Sequence, residues 1–241
     1  YTYVASSYWD RAYSAIANAN VIISRIDMEN EVGEDNKKVI KGQALFFRAY
    51  FYNFLANLYG GVPLILEEAT EPRKDYVRAT REATYDQARQ DLEDAIKMLN
   101  DITKAKDSEV NIQAAQHLLA EVYISLGDYS EAIAAATAVI THPNMGLMKT
   151  RFGSRKDETG DPYWDLFQLN NQNRSSGNTE TIWALQYEYK NSGSSYSNEM
   201  PRWLLPYYEG LNVRDKEDKK NVKAFTLNTM EKGGRGIGTI R

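Results

Sequence analysis

Residues 46–59 have to lie inside a folded body. Phe46, Phe47, Tyr50, Phe51, Tyr52, Phe54 and Tyr59 put an aromatic ring on every face of one helix. A helix apolar all round has to be surrounded by other elements. Arg48 stands in its middle, and a guanidinium there needs a carboxylate or carbonyl partner, so a structural ion pair is expected. Gly60-Gly61 ends the helix and Pro63 stops any continuation. The uncharged run over residues 49–66 is about as long as a membrane-spanning helix. Asn53 and Asn57 within it, and the break at Gly60-Gly61, favour a buried helix followed by a turn.

Helices are expected on both sides of this one. A first helix over residues 7–27 carries Trp9, Ala12, Tyr13, Ile16, Ala19, Asn20 and Ile23 at helical spacing, with Ser7 and Asp10 set as a capping box. An acidic loop follows, and the central helix starts at residue 35 or 37. A third helix, residues 81–99, has Thr80 as N-cap and a stripe of Ala88, Leu92, Ala95, Ile96 and Leu99. The clearest pattern is a helical pair. Residues 112–126 present Ala115, Leu118, Leu119, Val122, Tyr123 and Leu126; residues 129–140 present Ala132, Ile133, Ala136, Val139 and Ile140. Gly127 makes the turn, Asp128 with Glu131 resembles an N-cap box, and Pro143 follows the end. Leu119-Ala120, Tyr123, Gly127, Asp128-Tyr129, Ala132 and Pro143 follow the tetratricopeptide pattern, with Tyr123 and Tyr129 expected to fill the gap between the helices. Such a unit cannot bury its face alone, so the upstream helices are expected to stack on it.

Residues 145–241 have few helical stripes. Polar runs such as Asn170-Asn171-Gln172-Asn173 and Asn191-Ser192-Gly193-Ser194-Ser195 alternate with aromatic residues, and residues 181–189 suit a short strand or extended segment. The fold class is therefore mainly α. Tetratricopeptide-like pairs over residues 1–142 pack with a loop-rich lobe over 143–241 that contains little strand, within a single structural domain.

The composition removes several functions. The chain has 241 residues, of which 42% are hydrophobic, and a net charge of −4. That balance supports a sizeable core and disfavours a nucleic-acid partner, which needs a clustered basic face. There is no cysteine, hence no disulfide, Cys-bound zinc or thiol nucleophile. His117 and His142 are the only histidines and lack the spacing of a zinc site. Asp157, Glu158 and Asp161 read as an exposed acidic loop, since their spacing does not match a calcium hand. The sequence has no nucleophile elbow and no phosphate loop. No catalytic residue, metal or cofactor is assigned.

Binding of sugars is the chemistry that the aromatic wealth suits. Flat rings can meet the C–H face of a pyranose, and Asn, Gln, Arg and Asp can hold its hydroxyls. Trp203 with Arg202, Tyr207 and Tyr208 forms the first candidate patch. Tyr196, Trp164 and Tyr163 come next. Trp9 and Trp183 sit within apolar patterns and read as packing residues.

Three segments carry a resemblance to the SusD/RagB proteins of Bacteroidetes. One runs from Gly42-Gln43-Ala44 through Phe47-Arg48-Ala49-Tyr50 to Leu58-Tyr59-Gly60-Gly61-Val62-Pro63-Leu64. The second runs from Ala114-Ala115 through Leu119-Ala120-Glu121-Val122-Tyr123 to Gly127-Asp128-Tyr129. The third is Glu180-Thr181-Ile182-Trp183-Ala184-Leu185-Gln186-Tyr187. The resemblance implies a non-enzymatic, lipid-anchored protein on the outer-membrane surface. Its partners would be an oligosaccharide or polysaccharide and a SusC-like TonB-dependent transporter, with the membrane touched only through an anchor outside these residues. Alternatives are a peptide-binding RagB-like member or a tetratricopeptide-type interaction scaffold. Family members usually extend further at both ends, so the chain resembles an internal portion.

Overall fold

The computed structural model describes residues 2–186, 212–214 and 221–223. The chain divides into two compact units, Tyr1–Ala184 and Leu185–Arg241. In the second, strands β1 (Asn212–Arg214) and β2 (Asn221–Lys223) pair antiparallel, with Val213 opposite Val222.

The first unit is helical. It contains α1 (Thr2–Arg25), a 3₁₀ turn (Ile26–Met28), α2 (Glu34–Tyr59), α3 (Arg81–Ile96), α4 (Ile112–Leu126), α5 (Tyr129–Ile140), the short α6 (Pro162–Leu166) and a second 3₁₀ turn (Arg174–Ser176). The first five helices form a row in chain order, α1 on α2, α2 on α3, α3 on α4 and α4 on α5.

The core follows the expected stripes. Ile16 of α1, Tyr52 and Leu55 of α2, Leu92 of α3 and Val122 of α4 are fully buried. Each such side chain contributes roughly 2 kcal/mol of apolar burial. No described helix is long and apolar enough to cross a membrane, in line with the buried-helix reading of residues 49–66. The face of α2 holding Tyr50 and Leu58 is nevertheless exposed, so α2 is not enclosed on every side by the described residues.

Arg48 organises the polar interior. It donates to both carboxylate oxygens of Asp91 at 2.7 and 2.6 Å, to Asn20 Oδ1 at 2.9 Å and to the Leu66 carbonyl at 3.0 Å. The expected ion pair therefore exists, linking α1, α2 and α3. Around it the chain after α2 is strapped down. Tyr13 donates to Pro63 O, and Asn20 donates to Ile65 O and Glu67 O. The Tyr52 hydroxyl both donates to Ile65 O and accepts from Ile65 N, and burial pushes its pKa up to about 12. Gly61 is required at this crossing: a Cβ there would lie 2.0 Å from the Ala79 carbonyl oxygen.

Several local expectations change. Helix α1 already runs through Ser7, so Ser7 and Asp10 do not cap it. Thr80 does cap α3, accepting from Ala83 N, but α3 ends at Ile96 and residues 97–99 turn away. Gly127 ends α4 in the left-handed conformation, φ 86°, which glycine adopts without a Cβ penalty. Asp128 makes no side-chain cap to α5. Tyr123 fills the space toward α3, its hydroxyl donating to Glu93 at 2.8 Å. Tyr129, assigned the same job, is exposed, as are Ile133 and Ile140.

Candidate functional site

The loop-rich part of the first unit, residues 143–184, is pinned to the helices through a few polar side chains. Asn111 does two jobs: its Oδ1 caps α4 by accepting from Ala114 N, and its Nδ2 donates to Ile182 O at 2.8 Å. Residues 181–186 form no strand. Trp183 packs its ring edgewise against Phe46 and Phe47, at 5.7 and 6.0 Å between centroids. Trp9 likewise sits against Tyr13 and Tyr59. Both tryptophans are packing residues, as their apolar settings suggested.

Inside this segment one guanidinium sets the loop. Arg151 donates all five N–H groups: two to Asp165, at 2.6 and 3.0 Å, and three to carbonyls, Glu158 O at 2.5 Å, Gly160 O at 3.0 Å and Arg155 O at 2.7 Å. Asp165 also accepts from Phe152 N. The hydrogen-bonded guanidinium holds the Asp165 carboxyl below the usual carboxylate range, against the opposing effect of burial. Asn171, fully buried, completes the frame by donating to Asp165 O at 2.9 Å and accepting from Ser154 N. The frame carries α6. Asp161 caps it by accepting from Trp164 N at 2.7 Å, and Pro162 occupies the first helical position, where its missing N–H costs nothing.

This short helix presents two of the expected ligand residues in different ways. Trp164 is half-buried. Its ring faces the Arg151 and Arg155 guanidinia at 5.5 and 6.0 Å and crowds Gly160, where a Cβ would approach it to 2.7 Å. Tyr163 stands free, 70% exposed, and meets Phe167, 71% exposed, edge to face at 5.1 Å between centroids. Sequence reasoning missed both α6 and Phe167. The signal was present, since Asp161-Pro162 is a helix start and Phe167 lies one turn after Tyr163. Trp203, Arg202, Tyr207, Tyr208 and Tyr196 lie outside the described residues.

Other polar features have structural partners. Asp101 is held at about 2: burial would raise it, but hydrogen bonds from the Thr103 hydroxyl, the Thr103 amide and Gln113 outweigh that effect. His142 lies 3.1 Å from Asp101, while His117 is exposed. Of the three acidic residues at 157–161, Asp161 is the α6 cap. Among the described residues no three His, Cys, Asp or Glu side chains gather as a metal site.

Comparison with known proteins places this geometry. Residues 1–124 match the SusD-like family described as starch-binding and associating with the outer membrane. SusD-like protein P2 of Formosa agariphila is 28% identical over 200 residues, covering 81% of this chain and 36% of that protein. A laminarin-binding SusD-like protein of known structure is 28% identical, with a TM-score of 0.55 over 60% of this chain and 33% of its own. Surface glycan-binding protein A of Bacteroides uniformis shares the fold at 22% identity, with a TM-score of 0.64 over 84% of this chain and 40% of its own. The chain thus spans about a third of the curated relative's length.

Proposed function

Because this chain belongs to the SusD-like family described as starch-binding and associating with the outer membrane, we propose that it is part of a non-catalytic glycan receptor at the cell surface. The receptor holds an oligosaccharide or polysaccharide and delivers it to a SusC-like TonB-dependent transporter, with a lipid anchor keeping it at the outer membrane.

The observation that carries this reading is the exposed ring pair formed by Tyr163 of α6 and Phe167 at its C-terminal cap. Tyr163 and Phe167 leave most of their surface to solvent on a helix fixed by the Arg151–Asp165 frame. Large exposed rings on a rigid support are unfavourable to leave bare and suit the apolar face of a pyranose. Trp203, Arg202, Tyr207, Tyr208, Tyr196 and Trp164 remain candidate ligand residues of the receptor on the strength of their side-chain chemistry. The ligand class is supported by a relative that binds laminarin and another described as a surface glycan-binding protein.

The reading involves no bond cleavage. Glycoside hydrolysis needs a carboxylic acid whose pKa is raised so that it can donate a proton near neutrality. The described carboxyl groups with shifted pKa values, Glu68, Asp75, Asp101 and Asp165, are all lowered.

Affinity electrophoresis of the whole polypeptide in gels cast with starch or laminarin tests the proposal. The expected result is retardation in at least one gel, weakened about thirtyfold by Tyr163→Ala with Phe167→Ala and about fivefold by Trp203→Ala, since a lost ring contact is worth about 1 kcal/mol. Unretarded migration in both gels, with binding to a peptide library instead, would favour a RagB-like role. Shorter sugars after prolonged incubation would end the non-catalytic reading.

A further inference from the structure

Two methionine sulfurs close the base of the loop that carries α6. Residues 144–148 follow the end of α5, and residues 174–179 return to them. Gly146 N donates to Thr179 O at 3.2 Å, and the Thr179 hydroxyl donates to Gly146 O at 2.7 Å. Beside this pair, thioethers take the place of oxygen acceptors. Thr179 N donates to Met148 Sδ at 3.2 Å. Arg174 donates to Met145 Sδ at 3.4 Å through Nη1 and to Asn144 O at 2.7 Å through Nη2. The Thr179 hydroxyl has one proton, already given to Gly146, so its 3.1 Å approach to Met148 Sδ is contact alone. A backbone amide is a strong donor that is ordinarily met by oxygen, whereas a thioether is a weak acceptor. Both methionines are half-buried, so solvent still reaches them.

We propose that Met145 and Met148 are an oxidation site, at which a two-electron oxidant of the peroxide class opens this clasp. The peroxide O–O bond breaks as a sulfur lone pair forms an S–O bond. The thioether is oxidised by two electrons to the sulfoxide, and the peroxide is reduced to water or an alcohol. The sulfoxide sulfur carries partial positive charge, so it no longer accepts from Thr179 N or Arg174 Nη1. The new oxygen does accept, but it stands a bond length away from where those donors point. Thr179 cannot shift to meet it without breaking its two bonds to Gly146. A donor left unmet costs more than one returned to water, so the pairing opens. The base of the loop loosens, while the apolar contacts of α1 to α4 are untouched. Reduction of the sulfoxides returns both acceptors, which makes the change reversible.

Mild hydrogen peroxide treatment of the whole polypeptide, followed by peptide mass mapping and hydrogen exchange, tests this. Met28, 69% exposed, reports that the reagent has worked. Met145 and Met148 should gain oxygen under the conditions that oxidise Met28. Exchange over residues 144–148 and 174–179 should then rise at least about tenfold, with α2 to α4 unchanged. Methionine sulfoxide reductase should restore the protection. In Met145→Leu with Met148→Leu the same segments should exchange fast before peroxide and no faster after it, since leucine fills the space without accepting. Sulfoxides at both positions with exchange unchanged would overturn the proposal. So would Met145 and Met148 staying reduced while Met28 is oxidised. A peroxide-driven rise that persists in the double variant would also overturn it, because the cause would then lie elsewhere.

Discussion

The helical row and the loop segment of residues 143–184 are parts of one compact unit, yet they are held together by different forces. The row rests on apolar stripes facing each other across α1 to α5, with one charged hub, Arg48, sealed among them. The loop segment has few stripes. Its shape comes from side chains that satisfy backbone groups: Arg151 on three carbonyls, Asn171 on Ser154 N and Asp165 O, Asn178 on the amides of Glu180 and Thr181. Burying area is non-directional and tolerates small changes of shape, whereas a hydrogen-bonded frame depends on each donor. The two regions should therefore fail differently when cut.

The largest effect is expected where the row departs from its own rule. Arg48→Met leaves Asp91 buried with only Gln87 to donate to it. An uncompensated buried charge costs about 3–5 kcal/mol. Urea unfolding should show a lower midpoint with an unchanged slope, the whole unit melting together. Adding Asp91→Leu should recover most of that loss, because two apolar groups replace the pair. If Arg48→Met unfolds at the wild-type midpoint, the hub is not what joins α1, α2 and α3.

That contrast also explains what could be read from the sequence. Helices α4 and α5 were legible to the residue, because a 3.6-residue apolar repeat records which face is buried. The Arg48 ion pair was legible as a need, since a guanidinium in an apolar helix must be met, but its partner was not. Nothing in the sequence ties position 48 to Asp91, 43 residues away. Exposure of Ile133 and Ile140 was illegible for a related reason. Periodicity says that a side chain wants cover, not whether the cover is nearby. In the loop segment, frames such as Arg151–Asp165 leave no period at all, so α6 and Phe167 went unseen even though Asp161-Pro162 marked the start.

A joint between the two regions sharpens the comparison. Asn111 caps α4 with its oxygen and holds Ile182 with its amide nitrogen. Asn111→Ala should cost about 2 kcal/mol, combining a lost N-cap with an unmet carbonyl. Asn111→Asp keeps the acceptor for Ala114 N and removes the donor to Ile182, so it should cost about half as much. Thermal unfolding of the two variants separates the contributions. Equal losses would mean that the cap contributes nothing and that only the tether to the loop segment matters.

The smallest effect on global stability is expected deep in the loop segment, and there it should be local. Arg151→Met removes the donor set that gathers residues 155–165, leaving the helical row with its apolar contacts intact. The urea midpoint should barely move, while hydrogen exchange over residues 151–171 should accelerate and α2 to α4 stay protected. Acid should reproduce this. Asp165 is held below the normal carboxylate range by Arg151, so its contribution is full above the unfolded value near pH 4 and fades as pH falls through the lowered folded value. Exchange in the loop should therefore rise below about pH 4 in the wild type, and in Arg151→Met should be fast at neutral pH already. A global collapse of Arg151→Met would erase the distinction: a frame built on one guanidinium would then be as necessary to the unit as its apolar core.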